Sequence, residues 1–581
     1  MAPIDAMKLK PQAVTELDRA VAACRSTVGV LGLFSLVINL LMLAPSLYML
    51  QVYDRVMTTG SVETLVMLTL MVALALFAMG FLDALRAAIT VRMGCWLSGR
   101  LGPAYLANGV RMRLISESAG AQPLRDLATV QGFVASPGVH VFFDAPWSPL
   151  FLVLIWMLHP WLGTLAVASS ILLLGFGVAN EYLTRSSAMT SSVAQIDAMQ
   201  LAEATIRNAE VVKAMGMLPA LLARWHDSNA TGLAAQQRAG ERGSLLLGIT
   251  KSLRYFVQSA TLGLGAYLVL QGQLSGGTMI AASILLGRTL APVEAAMGTW
   301  KSFGMARIAY GRLKGQLRTL SQEPVRTRLP EPKGVLTLSN VSFVPPGGRV
   351  PVLRGISFEA TPGEVMAVIG PSAGGKSTLC RLLVGTADPT AGEVRLDGAD
   401  LRHWNPEDLG RHVGYLPQDV ELFSGTVRDN IARMGHADDE AVIEAALRAH
   451  AHALIQQLPQ GYDTVIGDGG IRLSGGQRQR IGLARAVYGL PRLIVLDEPN
   501  ANLDTAGEAA LAAAIHELKQ HGCTLLIVGH RPSTIAQADR ILLLKEGRVE
   551  LIGPRDEVLK RLRKASSSKA DAAQQDEAQS A

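Results

Sequence analysis

The 581-residue chain holds only four cysteines, Cys24, Cys95, Cys380 and Cys523, and none is spaced for a metal or a redox pair. Their scarcity excludes a disulfide framework and fits a reduced cytosolic face, each thiol being expected as a small packing residue. No run of six basic residues occurs, and the formal charge of +6 is modest for this length. A partner of nucleic-acid type therefore has no support. A cleavable secretion signal is missing as well. Residues 1–25 carry Asp5, Glu16 and Asp18, lack a small-residue cleavage pattern, and lead into an apolar stretch long enough to remain as a span. Residues 14–25 read as a helical lead-in, the other reading being an amphipathic helix at a membrane interface.

Apolar residues are what the chain has in quantity. They make up 49% of it, and the mean hydropathy is +0.27. Such a chain is too long for one domain and too apolar for an ordinary soluble protein. Six stretches of near-spanning length lie in the first half, at residues 28–50, 64–82, 146–158, 162–179, 253–270 and 278–297. Each approaches the ~20 residues that a hydrocarbon core of ~30 Å requires, the third being short. The third and fourth are split only by His159, Pro160 and Trp161. The turns after the third and fifth spans are uncharged, whereas residues 83–143 and 180–252 carry many arginines, among them Arg86, Arg92, Arg100, Arg111, Arg113, Arg207 and Arg224. Lys and Arg gather on the cytoplasmic side, so both long connections and both termini are expected there. Arg288 falls well inside the last stretch. It either lines a polar path near Glu294 or across a dimer, or snorkels toward the cytoplasm.

The second half carries chemistry. Residues 370–377 read Gly-Pro-Ser-Ala-Gly-Gly-Lys-Ser, a GxxxxGK[ST] phosphate cradle. Gly370, Ser372, Gly374 and Gly375 let backbone N–H groups turn inward, Lys376 reaches the β and γ phosphates, and Ser377 is a Mg²⁺ ligand. Residues 365–369 form the apolar strand that should precede such a loop, and a helix continues from Thr378. A second apolar strand, residues 493–496, delivers Asp497 at its carboxyl end, where it would hold Mg²⁺ through water. Glu498 beside it is placed to orient and polarise the attacking water. His530 follows a third strand, residues 524–528, where an imidazole would contact the γ-phosphate.

Residues 473–477, Leu-Ser-Gly-Gly-Gln, complete a set in which residues 335–559 resemble the ATP-binding cassette of ABC transporters. The resemblance implies that Ser474, Gly475, Gly476 and Gln477 bind the nucleotide held by a partner cassette. It also implies that Gln418 touches the metal and couples hydrolysis to the membrane part, and that residues 502–504, ending in Asp504, cross the dimer interface. Two departures stand out. Asp468 occupies a place where exporters usually carry Glu, and Pro345 stands where most members stack adenine on an aromatic ring, with Phe343 as an alternative platform.

Residues 43–56, Leu-Ala-Pro-Ser-Leu-Tyr-Met-Leu-Gln-Val-Tyr-Asp-Arg-Val, and 143–149, Phe-Asp-Ala-Pro-Trp-Ser-Pro, are similar to type I secretion exporters of Gram-negative bacteria. About 25 residues precede the first span, which resembles the protease and lipase exporter branch without an N-terminal peptidase domain. The implied fold is a multi-domain membrane protein, an all-α six-helix transmembrane domain followed by an α/β P-loop cassette. Its parts are expected as a cytoplasmic segment (1–25), the transmembrane domain (26–315), a linker (316–334), the cassette (335–560) and a disordered tail (561–581). The spanning helices would extend beyond the membrane, with short coupling helices in residues 126–140 and 203–217. The implied activity is ATP-driven export of unfolded polypeptide with an uncleaved C-terminal signal. ATP and Mg²⁺ would serve as cofactors, and a second copy, a periplasmic adaptor, an outer-membrane tunnel, the secreted cargo and inner-membrane lipid as partners. The alternative is export of lipid, glycan or a small amphiphile on the same frame, and a regulatory ATPase or scaffold that moves nothing is a third reading.

Overall fold

The computed structural model describes residues 16–115, 120–320, 328–467 and 470–564. Asp468, the start of the N-terminal segment, residues 321–327 of the expected linker and the expected tail from 565 onward lie outside them. The chain forms two compact units, residues 1–113 with 118–323, and residues 324–581 with 114–117.

The first unit is built from helices whose lengths exceed any bilayer. Val62–Ile115 runs for 54 residues, Pro160–Arg207 for 48, Leu218–Leu270 for 53 and Gly276–Leu320 for 45. At 1.5 Å per residue the first of these is about 80 Å long, against a hydrocarbon core of about 30 Å. Its outward face is apolar and bare: Val66, Met67, Leu70, Leu74 and Phe77 are all exposed, as side chains facing lipid would be. Among the described residues five helical stretches are long and apolar enough to cross a membrane, Glu16–Thr59, Val62–Leu114, Pro137–Leu158, Pro160–Arg207 and Gly276–Gln316. Residues 253–270, expected as a further span, are the end of Leu218–Leu270 and do not join this set. Arg254 and Gln258 dilute that segment, and the Arg254 guanidinium lies 3.1 Å from the Glu294 carboxylate. Glu294 is thus partnered by Arg254 rather than by Arg288, which is half-buried.

Two apolar clusters hold this unit together. Phe151, Ile155, Leu162, Leu173, Val257, Leu286 and Leu290 form one, and Leu17, Leu97, Leu101, Tyr105, Leu127 and Leu313 the other. Polar ties run between the helices. Arg86, only 4% exposed, donates to Asp144 Oδ1 at 2.6 Å, Asp83 Oδ1 at 2.7 Å and Ser35 Oγ at 2.8 Å. Asn39 Nδ2 donates to the same Asp144 oxygen at 3.2 Å. Three separate helical segments are pinned by one guanidinium.

The two expected coupling helices fare differently. A six-residue helix, Ala209–Ala214, does lie between Pro160–Arg207 and Leu218–Leu270. Residues 126–140 take in most of the helix Gln122–Val134 and the short 3₁₀ helix Pro137–His140. Asp126 belongs to Gln122–Val134, a 13-residue helix packed on Gly276–Leu320, with Arg312 donating twice to the buried Asp126 carboxylate at 2.8 and 2.6 Å.

In the second unit a six-stranded sheet runs Arg548–Pro554, Arg540–Lys545, Val365–Ile369, Thr524–Val528, Leu493–Asp497, Val413–Leu416. All neighbours pair in parallel except the first two. Its central strands are apolar but for Thr524 and Asp497 at their ends and fully buried, because both faces are covered. Alternate side chains go to opposite cores. Met366, Val368, Leu526, Val528 and Val495 pack toward an antiparallel sheet containing Leu336–Phe343 and Leu353–Ala360, and Val365, Ala367, Leu525, Ile527, Ile494 and Leu496 toward the helices. Cys380 and Cys523 are buried here as expected, whereas Cys95 of the first unit is exposed. Burial pushes the Cys380 thiol well up and Cys523 to about 11, so neither is a nucleophile.

Candidate active site at the parallel strand ends

Because the strands are parallel, their carboxyl ends open on one edge of the sheet. Val365–Ile369 ends at Gly370, Leu493–Asp497 at Asp497, Thr524–Val528 just before Gly529 and His530, and Val413–Leu416 just before Pro417 and Gln418. In the register Asp497 pairs with Val528, and Val528 with Val368, which brings Asp497, the cradle and His530 to the same edge. Ligands of doubly wound sheets gather there.

The cradle turns on backbone that only glycine tolerates. Gly370 has φ 154° and a Cβ there would stand 2.0 Å from the Leu544 carbonyl oxygen. Gly375 has φ 95°, and its Cβ would meet Leu353 Cδ2 at 2.7 Å. Between them Ala373 also takes a positive φ, 62°. The helix Lys376–Leu383 starts at once, so its first N–H groups face the loop. Lys376 Nζ donates to the carbonyl oxygens of Gly370 at 3.0 Å and Pro371 at 2.8 Å. Ser372 at the loop tip is exposed, and Ser377 and Thr378 are half-buried on the helix.

Asp497 is 2% exposed, and its Oδ1 is buried without a hydrogen-bond partner. Burial pushes its carboxyl above the usual range, against a hydrogen bond from Ser377 that draws it down. A buried carboxylate with one orphaned oxygen beside a serine hydroxyl fits a hard divalent cation that takes its remaining oxygens from phosphate and water. Among the described residues no cluster of three or more His, Cys, Asp or Glu offers an all-protein metal cage.

Glu498 sits in the left-handed region at φ 50°, an arrangement that costs about 1–3 kcal/mol in a non-glycine residue. The surroundings fix it there. Its N–H donates to the Val528 carbonyl at 2.9 Å, its carbonyl accepts from Ala501 N at 3.1 Å and Gln479 Nε2 at 3.3 Å, and its carboxylate accepts from Gln418 Nε2 at 3.1 Å. Gln418 and Glu498, 80 residues apart, are thereby in direct contact. His530 is exposed at the same edge.

The signature segment opens the helix Gly475–Val487. Ser474 caps it in a reciprocal box, Gln477 N donating to Ser474 Oγ at 3.2 Å and Ser474 N to Gln477 Oε1 at 2.9 Å. Ser474 is exposed. Gly475 and Gly476 lie against Asn502, with Cβ positions 3.3 Å from its side chain and 3.0 Å from its carbonyl oxygen respectively. Asp504 is exposed and caps Thr505–Gln520 through Gly507 N at 2.8 Å, with Arg480 3.6 Å away. Local reading missed Gln479, 2% exposed, which donates to Glu498 and accepts from Asn502 Nδ2 at 3.2 Å. Its neighbours, Gln477, Arg478 and Arg480, make the segment look uniformly polar, so nothing in the string marks which amide turns inward.

The expected base platform is a turn. Gly348 N donates to the Pro345 carbonyl at 2.9 Å, with Gly347 at φ 76°. Phe343 pairs with Leu353 across the antiparallel sheet and packs, half-buried, on its core. Arg349 and Val350 are exposed on the same loop, which leads through Val352 to the cradle at Gly375.

Comparison with known proteins agrees with this geometry. The ABC transporter family matches residues 353–501, and the ABC transporter transmembrane region matches residues 28–293. The chain is 40% identical over 545 residues to the type I secretion system ATP-binding protein PrsD of Rhizobium meliloti (strain 1021), covering 93% of both. It is 30% identical over 538 residues to the toxin RTX-I translocation ATP-binding protein of Actinobacillus pleuropneumoniae, covering 90% of this chain and 75% of that one. A solved bacterial Atm1-family ABC exporter with ATP bound is 25% identical, with a TM-score of 0.78 over 93% of this chain and 97% of that chain. The buried strands that end in a glycine cradle and an acidic pair, together with the long apolar helices, are those of an ABC exporter, and the chain belongs to the type I secretion ATP-binding proteins of that family.

Proposed function

We propose that this chain is the energy-converting permease of a type I secretion system, exporting unfolded polypeptide with an uncleaved C-terminal signal across the inner membrane. It binds and hydrolyses ATP, and hydrolysis is coupled to transport. The observation that carries the reading is the Glu498 carboxylate held by Gln418 beside the buried, half-satisfied Asp497, in a chain that matches a type I secretion protein over 93% of both lengths.

In this reading the cradle from Gly370 to Thr378 binds the phosphates, with Lys376 exchanging its carbonyl contacts for phosphate oxygens. Asp497 and Ser377 hold Mg²⁺ with help from Gln418, and the ion supplies charge neutralisation at the phosphates when bound. Glu498 orients water and draws its proton, and His530 steadies the γ-phosphate. One cassette presents one cradle and one exposed Ser474, so a complete site takes the cradle of one copy and the signature of another, giving a homodimer with two composite sites. Termini and cassette face the cytoplasm. A periplasmic adaptor and an outer-membrane tunnel complete the route.

Glu498→Gln should bind ATP with near wild-type affinity yet hydrolyse it at least about 100-fold more slowly, while Lys376→Ala should bind poorly. Wild-type turnover by the Glu498 variant would refute the assignment. Stimulation of the purified protein's ATPase by a C-terminal peptide of a secreted protein supports polypeptide export. Stimulation by lipid-like amphiphiles alone would move the cargo to that class.

A further inference from the structure

We infer that Gln479 is a positioning residue that couples the two nucleotide sites, transmitting contact at a cassette's signature to the catalytic-carboxylate loop of the same cassette. The inference rests on the composite homodimer proposed above. In that dimer Ser474 and Gly476 of one copy touch the nucleotide on the other, whereas Glu498 of that copy serves its own. Whatever links Ser474 to Glu498 within a chain therefore links the two sites.

The structure holds one short path. Ser474 caps the helix that carries Gln479 five residues on, and the capping box locks that first turn. The buried Gln479 amide then spans the loop 498–502. Its Nε2 donates to the Glu498 carbonyl, and its Oε1 accepts from Asn502 Nδ2. Asn502 in turn lies against Gly475 and Gly476. A displacement of the signature turn thus cannot leave the 498–502 loop in place without breaking a buried hydrogen bond or closing a contact already at van der Waals distance. Glu498 is the member of that loop with the least tolerant backbone, at φ 50°. Small movements of its carbonyl re-aim the carboxylate that Gln418 holds at its other end. No residue of comparable chemistry substitutes for Gln479: leucine loses both bonds, and glutamate keeps an acceptor for Asn502 but sets a carboxylate against a carbonyl.

Mixed dimers separate a link from a local prop. Two differently tagged full-length copies are purified together, one carrying Lys376→Ala, so that a single live site remains, formed by the wild-type cradle and the variant copy's signature. Gln479→Leu on the live-cradle copy removes support for the working Glu498. The same substitution on the Lys376→Ala copy reaches the live site only through its signature. Both placements are expected to slow ATP turnover by about 10-fold with KM for ATP changed less than about twofold. An effect only on the live-cradle copy, or on neither, would overturn the inference. Should the leucine variant fail to fold, Gln479→Glu serves, with the same expectation for both placements. Ser474→Ala on the Lys376→Ala copy is the control for the dimer itself: if it leaves the live site at full rate, the composite site fails and the coupling with it.

Discussion

The two units bury charge by opposite means. Among the described residues of the helical unit, the buried Arg86 and Asp126 are answered by partners far along the chain, Asp144 and Arg312, and the half-buried Arg254 by Glu294. In the cassette the one deeply buried carboxylate at the strand ends, Asp497, keeps an oxygen with no protein partner. The first arrangement fixes helices that have little hydrophobic drive to associate in lipid. The second reserves a place for something that arrives. Where burial and pairing agree, structure is being held, and where they disagree, chemistry is being prepared.

The largest expected effect comes from making the helical unit resemble the cassette. Asp144→Ala strips Arg86 of its closest partner and should cost about 3 kcal/mol, read as a lower melting temperature of the detergent-purified protein. Arg86→Met combined with Asp144→Leu should cost less than the single change, because no buried charge is then left over. An unchanged melting temperature for Asp144→Ala would break the comparison.

The converse change acts on the cassette. Burial raises the Asp497 carboxyl, so folding favours its protonated form. That contribution is full below the ordinary carboxylate range and is lost as pH climbs through the raised value. At neutral pH and without nucleotide or cation, Asp497→Asn should therefore stabilise the protein by roughly 1 kcal/mol. The advantage should fade on acidification through that window, and Mg²⁺-dependent hydrolysis should be lost. A destabilised variant at neutral pH would show that the carboxylate has a structural partner after all. The smallest effect sharpens the contrast between buried and exposed pairs. Arg125 and Glu203, 2.5 Å apart, are both substantially exposed, and Arg125→Ala should cost no more than about 0.5 kcal/mol by the same melting assay.

The same contrast explains how much was legible in the sequence. The cradle, Asp497, Glu498 and His530 are each written beside the strand that carries them, and strand ends in a parallel sheet converge without further instruction. Gln418 is marked by the likeness of its segment, whereas its bond to Glu498 joins residues 80 apart and leaves no trace in either string. The ties of the helical unit leave no such mark, because Arg86 and Asp144 are 58 residues apart and each alone looks like a loop charge. The same holds for Asp126, whose buried bond to Arg312 joins residues 186 apart. The 253–270 segment is helical to its end, and what its apolar count does not show is that Arg254 at its start pairs with Glu294 of Gly276–Leu320. Burial of a single amide such as Gln479 in a polar string follows from helix phase against a loop that only folding brings near.

The 54-residue helix Val62–Ile115 has a mechanical consequence. A rigid rod of about 80 Å that pivots by about 5° sweeps its far end through about 7 Å, more than one helical turn. Angular changes too slight to disturb side-chain packing at the pivot are thereby magnified, and mechanical gain of that kind is a property of length alone.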